Sequence, residues 1–276
     1  MCHYAILVWV NVHRGQQMTE AEWLASDDAF SLLEFLRSGG HLSDRKVRLF
    51  VAACCRPHWE RLRDQRSRAA ILAAESYADG HSDGEALLAA ARDANEACYL
   101  PDGQKAPEPA LSAAHLSTYA PHTIEAFTNP PDRARPGSGG YATEAFDKPE
   151  GFAELACLSA ADGAATAAGF STTAEWEVVA GDEFRRQADL LRDIFGNPFR
   201  AALLPTVGLG IVASLALAAY DEREFPSGHL EAGRLGVLAD ALEEAGCTDP
   251  NILGHFRGTG PHVRGCWPLD LCLGKS

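Results

Sequence analysis

Along most of the chain, apolar residues recur three or four positions apart, which is the spacing that one face of an α-helix requires. Three of these segments begin with a capping box, in which Ser or Thr is followed three positions later by Glu: Thr19–Glu22, Ser82–Glu85 and Thr172–Glu175. The alternation of apolar and polar residues that is typical of strands is nearly absent. The pattern therefore predicts an all-α fold, an irregular multi-helix bundle of about eight to ten helices.

Proline and glycine interrupt the helical pattern in the middle of the chain. Residues 129–149 contain four prolines around a Gly-Ser-Gly-Gly turn, a composition typical of a loop or linker. We therefore predict a linker or long loop over 128–149, between an N-terminal helical lobe (residues 18–127) and a C-terminal lobe (residues 150–276) that ends in a glycine-rich turn packed on the core.

Residues 1–17 precede a second methionine, Met18, and the first capping box, so they are predicted to form an N-terminal extension. A short edge strand over Ile6–Val12 is the alternative. The apolar run Ala5–Val10 is too short for a secretory signal or a bilayer span. With eight cysteines and no signal sequence, the protein is expected to be cytoplasmic, with reduced thiols.

Residues 201–220 carry no charge and have the length that a membrane helix needs. Proline, glycine, serine and threonine dilute the run, however, and much of the remainder is alanine. A buried core helix is therefore predicted here, and a membrane-associated segment is the alternative.

The net charge of −14 argues against general binding to nucleic acid or to anionic membranes, since both surfaces would repel the chain. Residues 37–68 nevertheless hold nine basic and three acidic residues, whereas residues 221–249 hold eight acidic and two basic residues. This pattern indicates pairing of the two segments or solvated helix faces. The alternative is a basic patch for an acidic partner or RNA, although no interleaved aromatic residues favour base stacking.

Five blocks of sequence form a familiar set: Met18–Ala25, Asp44–Arg56, Leu190–Arg200 (LLRDIFGNPFR), Leu238–Asp249 and His255–Lys275 (HFRGTGPHVRGCWPLDLCLGK). Together they resemble an uncharacterised family of bacterial proteins that occurs in many copies in some large-genome environmental bacteria. The last block is the distinctive one. The resemblance implies a start near Met18 and a soluble protein, and it implies no catalytic residues because the family has no assigned activity.

Metal-binding residue types are densest near the C-terminus. A zinc site there would draw on His255, His262, Cys266 and either Cys247 or Cys272, because thiolate and imidazole together suit Zn²⁺. Their spacing, H-x₆-H-x₃-C, is not that of a standard zinc finger. The alternative is a tight structural turn whose cysteine and following tryptophan anchor the chain to the core.

The same segment is also a candidate anion site. Arg257 and Arg264 bracket Gly258 and Gly260, and exposed glycine N–H groups beside guanidinium groups can hold phosphate or carboxylate. The segment lacks the lysine and the following Ser or Thr of a P-loop. Internal pairing of both arginines with acidic residues is the alternative.

Motifs of the common hydrolases are absent from the sequence, including a nucleophile elbow and H-E-x-x-H. Cys54 and His58 are four positions apart, but Pro57 lies between them. We therefore predict a soluble helical protein-interaction module without catalytic activity, which binds another protein through its basic 44–68 face or its C-terminal segment. The alternative is a metal- or phosphate-dependent enzyme with its site in 247–272.

Overall fold

The computed structural model describes residues 18–97, 173–202, 204 and 209–275. This part of the chain contains ten α-helices and one 3₁₀-helix, Arg56–Arg61, and its only β-structure is two isolated bridges. The α-helices are α1 (Glu20–Ala25), α2 (Ala29–Ser38), α3 (Asp44–Cys55), α4 (Gln65–Ala78), α5 (Gly84–Ala97), α6 (Thr173–Phe195), α7 (Leu209–Asp221), α8 (Ala232–Glu244), α9 (Pro250–Arg257) and α10 (Trp267–Leu273). The predicted all-α fold is confirmed.

Contacts divide the described residues into two units. One unit combines residues 18–41 with residues from 185 onward, and the other combines 42–97 with 173–184. The sequence instead predicts a boundary at 128–149. That segment lies outside the described residues, as do the predicted N-terminal extension 1–17 and Thr172 of the third capping box.

Side-chain caps explain where several helices begin. At α1 the predicted capping box is present: the Thr19 hydroxyl accepts a hydrogen bond from the Glu22 amide (3.3 Å), and the Glu22 carboxylate accepts one from the Thr19 amide (2.7 Å). The second predicted box is replaced by a different cap. The Asp83 carboxylate, one residue beyond Ser82, accepts a hydrogen bond from the Ala86 amide at the start of α5 (2.9 Å).

In the unit that contains α3, α4 and α5, two arginines of the basic 37–68 segment pair with carboxylates of the same unit. Arg56 forms a two-pronged ion pair with Glu75, with contacts of 3.1 and 2.6 Å, and both side chains are almost fully buried. Arg45 lies 3.2 Å from Asp79. Part of the basic 37–68 segment is therefore neutralised within its own unit, by acidic residues of α4 and its C-cap, which lie outside the predicted partner segment 221–249.

In the other unit, α7 to α10 pack around a shared apolar core that includes Tyr220, Leu238, Phe256 and Leu269. Helix α7 begins within the predicted 201–220 segment and ends one residue beyond it, and it turns one face into this core. Among the described residues, none of the helices combines the length and the apolarity that crossing a bilayer requires.

Residues 18–41 belong to this same unit through polar contacts with the end of α6 and the residues after it. The Arg192 guanidinium donates a hydrogen bond to the backbone carbonyl of Trp23 (2.9 Å). The Asn197 side-chain amide donates one to the Glu20 carboxylate (2.7 Å). Helix α1 is thereby attached to residues far along the chain, and the ring of Phe35 in α2 stacks on that of Phe199 at 5.1 Å.

The glycine-rich turn after α9 lies against the core, as predicted. The Leu230 amide donates a hydrogen bond to the His262 carbonyl (2.9 Å), and His229 forms an antiparallel bridge with Val263. The Cys266 amide then bonds to the Val263 carbonyl (3.0 Å) just before α10 begins. This turn, Gly258–Gly265, carries His262, and Cys266 follows it directly.

Candidate metal centre

Four potential metal-binding side chains meet in the unit formed by 18–41 and 185–275: Asp193, His255, His262 and Cys266. One donor atom from each lies within 4.8 Å of all the others. Asp193, His262 and Cys266 are buried, and His255 is partly exposed. This buried Asp/His/His/Cys group could hold a metal ion.

Three predicted ligands are thus brought together, and two candidates are not. Cys247 lies in the apolar core, and Cys272 packs against that core. Burial and the nearby Cys247 raise the pKa of the Cys272 thiol to about 12, as expected for apolar surroundings. The fourth member of the group is therefore Asp193 rather than either cysteine.

Helix ends and one turn position the four side chains. Asp193 lies in the last turn of α6, and His255 lies in the last turn of α9. His262 lies in the glycine-rich turn, and Cys266 occupies the N-cap of α10. Three of the four side chains are thus placed by the ends of different helices, and His262 is placed by the turn.

Asp193 is the centre of the hydrogen-bond network. Its Oδ1 lies 2.9 Å from His255 Nε2 and 3.0 Å from His262 Nδ1, and its Oδ2 accepts a hydrogen bond from the Val263 amide (2.9 Å). Burial works to raise the pKa of Asp193, but the hydrogen bonds from the two histidines outweigh it and hold that pKa below its usual value. The carboxylate is therefore ionised and accepts from all three donors.

The pKa values of the other buried members follow from the same charge. Burial works to lower the pKa of His262, but hydrogen bonding to Asp193 and the charge of that carboxylate raise it overall. Burial, together with the negative charge of Asp193, raises the pKa of the Cys266 thiol well above its usual value. Cys266 is therefore a neutral thiol near pH 7, and a bound cation would favour its thiolate form.

The two histidines have different outer partners. His262 Nε2 lies 3.4 Å from the carbonyl oxygen of Gly258, an acceptor. The indole N–H of Trp267 donates a hydrogen bond to His255 Nδ1 (3.2 Å), and the two rings meet edge to face at 5.5 Å. Cys266 Sγ lies 3.2 Å from His255 Nε2.

Gly196 brings the end of α6 against Trp267. It follows the last residue of the helix with a φ of +71°, and a Cβ atom added there would lie 2.9 Å from Trp267 Cγ. This position therefore requires both the left-handed conformation and the missing side chain of glycine.

Replacing Gly196 with alanine is expected to lower the free energy of unfolding by about 1–2 kcal/mol from backbone strain alone, with the overlap on Trp267 adding to it. Gly236→Ala is the matched control: it lies within α8 with open space around its Cα, and it should raise stability by roughly 0.5–1 kcal/mol. Urea denaturation of both variants measures these changes. A Gly196→Ala protein as stable as the wild type would contradict the prediction.

The residues of the predicted anion site lie beside separate carboxylates. Arg257 contacts Asp240 (2.7 Å) and Glu243 (2.6 Å), which raise the pKa of its guanidinium. Arg264 lies 3.8 Å from Asp221, and its guanidinium carbon is 5.1 Å from the centre of the Tyr220 ring. Gly258 and Gly260 are exposed. Both arginines thus have acidic neighbours, and anion binding stays a prediction.

Asp193 is the candidate site residue that the sequence analysis missed. It lies three positions after Leu190 and one before Ile194, and both of those residues are buried. An acidic residue on the apolar face of an amphipathic helix is the signal that points to it, because a buried carboxylate needs partners.

Comparison of this chain with protein-family models, with curated proteins and with solved structures finds no match.

Proposed function

We propose that this protein is a helical zinc-binding module in which Asp193, His255, His262 and Cys266 hold one ion. The observation that supports the proposal is the convergence of four donor atoms within 4.8 Å, in a largely buried position. Burial of so many polar groups together is costly unless they satisfy one another or share a cation.

The chemistry of the donors favours zinc. A thiolate and two imidazoles are soft or borderline ligands, which suit Zn²⁺ and are poor ligands for Mg²⁺ or Ca²⁺. The carboxylate of Asp193 is also a common zinc ligand. Four protein donors equal the usual coordination number of a structural zinc ion.

Such a site is closed, which favours a structural role over a catalytic one. Catalytic zinc sites keep one position for water or substrate, whereas all four positions here would be protein atoms. Cys266 is fully buried, so its sulfur is a poor candidate for a nucleophile that meets a substrate. We therefore retain the non-enzymatic module that the sequence predicts, with another protein as its partner, as part of this proposal.

The role of the ion would be to tie the C-terminal turn to α6. A single carboxylate, that of Asp193, connects this helix to His255, His262 and Val263. A ligand that binds only the folded state stabilises it in proportion to the logarithm of its concentration over Kd. Zinc would thus stabilise this unit.

Elemental analysis of the purified full-length chain after exposure to zinc and gel filtration tests the proposal. We expect about one zinc ion per chain, the stoichiometry of a four-ligand site. Cys266→Ser should lose most of this zinc, whereas Cys247→Ser, a substitution of another buried cysteine of the same core, should keep it. A wild-type chain without zinc, or a Cys266→Ser chain that retains it, would refute the proposal.

A further inference from the structure

The strongest unexplained contact at the metal centre is the one between Trp267 and His255. An indole N–H is a donor only, so its partner, His255 Nδ1, must accept with its lone pair (3.2 Å). The proton of the neutral imidazole is then on Nε2. That assignment agrees with the 2.9 Å contact from Nε2 to the ionised Asp193, which can only accept.

Metal binding requires the opposite arrangement at His255. His255 Nε2 is the nitrogen that faces Asp193 and Cys266, so it would have to offer its lone pair to the ion. The proton of the neutral ring would then be on Nδ1, where it would face the indole N–H of Trp267. Two N–H groups cannot form a hydrogen bond with each other.

His262 shows the arrangement that metal-binding histidines usually have. Its Nδ1 faces the group, and its Nε2 lies 3.4 Å from the Gly258 carbonyl, which can accept the remaining proton. The two histidines therefore differ in a way that bears directly on metal binding. The ring nitrogen of His262 that faces away from the group lies near an acceptor, the Gly258 carbonyl, whereas that of His255 lies near a donor, the Trp267 N–H.

We propose that Trp267 is a positioning residue that holds His255 in its metal-free tautomer, so that zinc binding requires tautomer exchange at His255 and loss of the Trp267 hydrogen bond. This inference rests on the proposed function. The Trp267 hydrogen bond would therefore lower the affinity for zinc, although the residue lies next to the site. Because Trp267 also packs on Gly196, zinc loading would change a contact at the end of α6.

Trp267→Phe separates the hydrogen bond from the packing. The ring atoms of Trp267 nearest Gly196 are Cγ, Cδ1 and Cδ2, and phenylalanine has the equivalents of all three but no N–H. We expect the variant to bind zinc about five-fold more tightly, the equivalent of one ordinary hydrogen bond lost from the metal-free state. Competition against a zinc chelator of known affinity measures this ratio on the full-length chain.

Trp23→Phe is the matched control. Trp23 is fully buried in the same unit, where its ring lies 5.8 Å from that of Phe35. This substitution should leave the zinc affinity unchanged. A purely structural role for Trp267 would instead weaken zinc binding or leave it unchanged in Trp267→Phe.

If Trp267→Phe fails to fold, a second measurement on the wild-type chain tests whether the His255 tautomer changes when zinc binds. Long-range ¹H–¹⁵N spectra should show the His255 proton on Nε2 without zinc and on Nδ1 with zinc, together with a shift of the Trp267 indole N–H signal. An unchanged tautomer and indole signal in a chain that holds one zinc ion, or equal zinc affinities of wild type and Trp267→Phe, would overturn this inference alone. A wild-type chain that binds no zinc would overturn it together with the proposed function.

Discussion

Replacing Asp193 with asparagine is expected to lower the free energy of unfolding by about 3–5 kcal/mol, the usual effect of removing one partner from a buried charged network. Asparagine has nearly the same shape but lacks the negative charge that raises the pKa of His262. Its amide would also present N–H groups to donors such as the Val263 amide, which now bonds to a carboxylate oxygen. The urea-unfolding transition of the unit that contains Asp193 measures the loss.

Asp189→Asn provides the control on the same helix. Asp189 pairs with Arg192 at 3.0 Å, but about half of its side chain is exposed, so its loss should cost less than about 0.5 kcal/mol. Similar destabilisation by the two substitutions would show that Asp193 is an ordinary surface-like carboxylate. That result would contradict the network described above.

The second large effect is expected in the other unit, at the buried pair of Arg56 and Glu75. Glu75→Gln removes the negative charge that faces a guanidinium with 2% side-chain exposure, and it should cost about 3–5 kcal/mol in unfolding free energy. The combined replacement Arg56→Met and Glu75→Leu removes both charges. It should therefore cost less than the sum of the two single replacements, with a coupling of about 1 kcal/mol or more.

Glu96→Gln is the matched control for this pair. Glu96 lies 3.7 Å from Arg66, and its side chain is 72% exposed, so its loss should change stability by less than about 0.5 kcal/mol. Urea denaturation of the wild type, Glu75→Gln, Arg56→Met, Glu75→Leu, the combined replacement and Glu96→Gln gives the full comparison. Additive effects of the Arg56 and Glu75 substitutions would mean that the two side chains do not interact energetically.

Much of the fold could be predicted from the spacing of residues within single helices. The capping box at Thr19 is visible in the sequence because its interacting groups lie within one helical turn. The same kind of information failed at Ser82, where a second cap-forming residue, Asp83, follows immediately and bonds to the Ala86 amide instead. Two adjacent good caps cannot be ranked by spacing alone.

In the candidate metal centre, too, the residues that lie close together in sequence were predicted and the distant one was not. His255, His262 and Cys266 were found because they share one short segment, and Cys247 was added because it lies close to them in sequence. Asp193 is 62 positions from His255. Only the packing of α6 against the C-terminal turn joins them, and helical periodicity contains no information on that pairing.

The discontinuous unit has a consequence for the order in which the protein folds during synthesis. Residues 18–41 are synthesised before residues 42–184, and their partners, such as Arg192 for the Trp23 carbonyl and Asn197 for Glu20, are made only after that whole stretch. Closing a loop of that length is slow compared with local helix formation. The nascent chain therefore carries α1 and α2 without their final contacts while the intervening residues are translated, and apolar helix faces exposed in that interval are prone to aggregation.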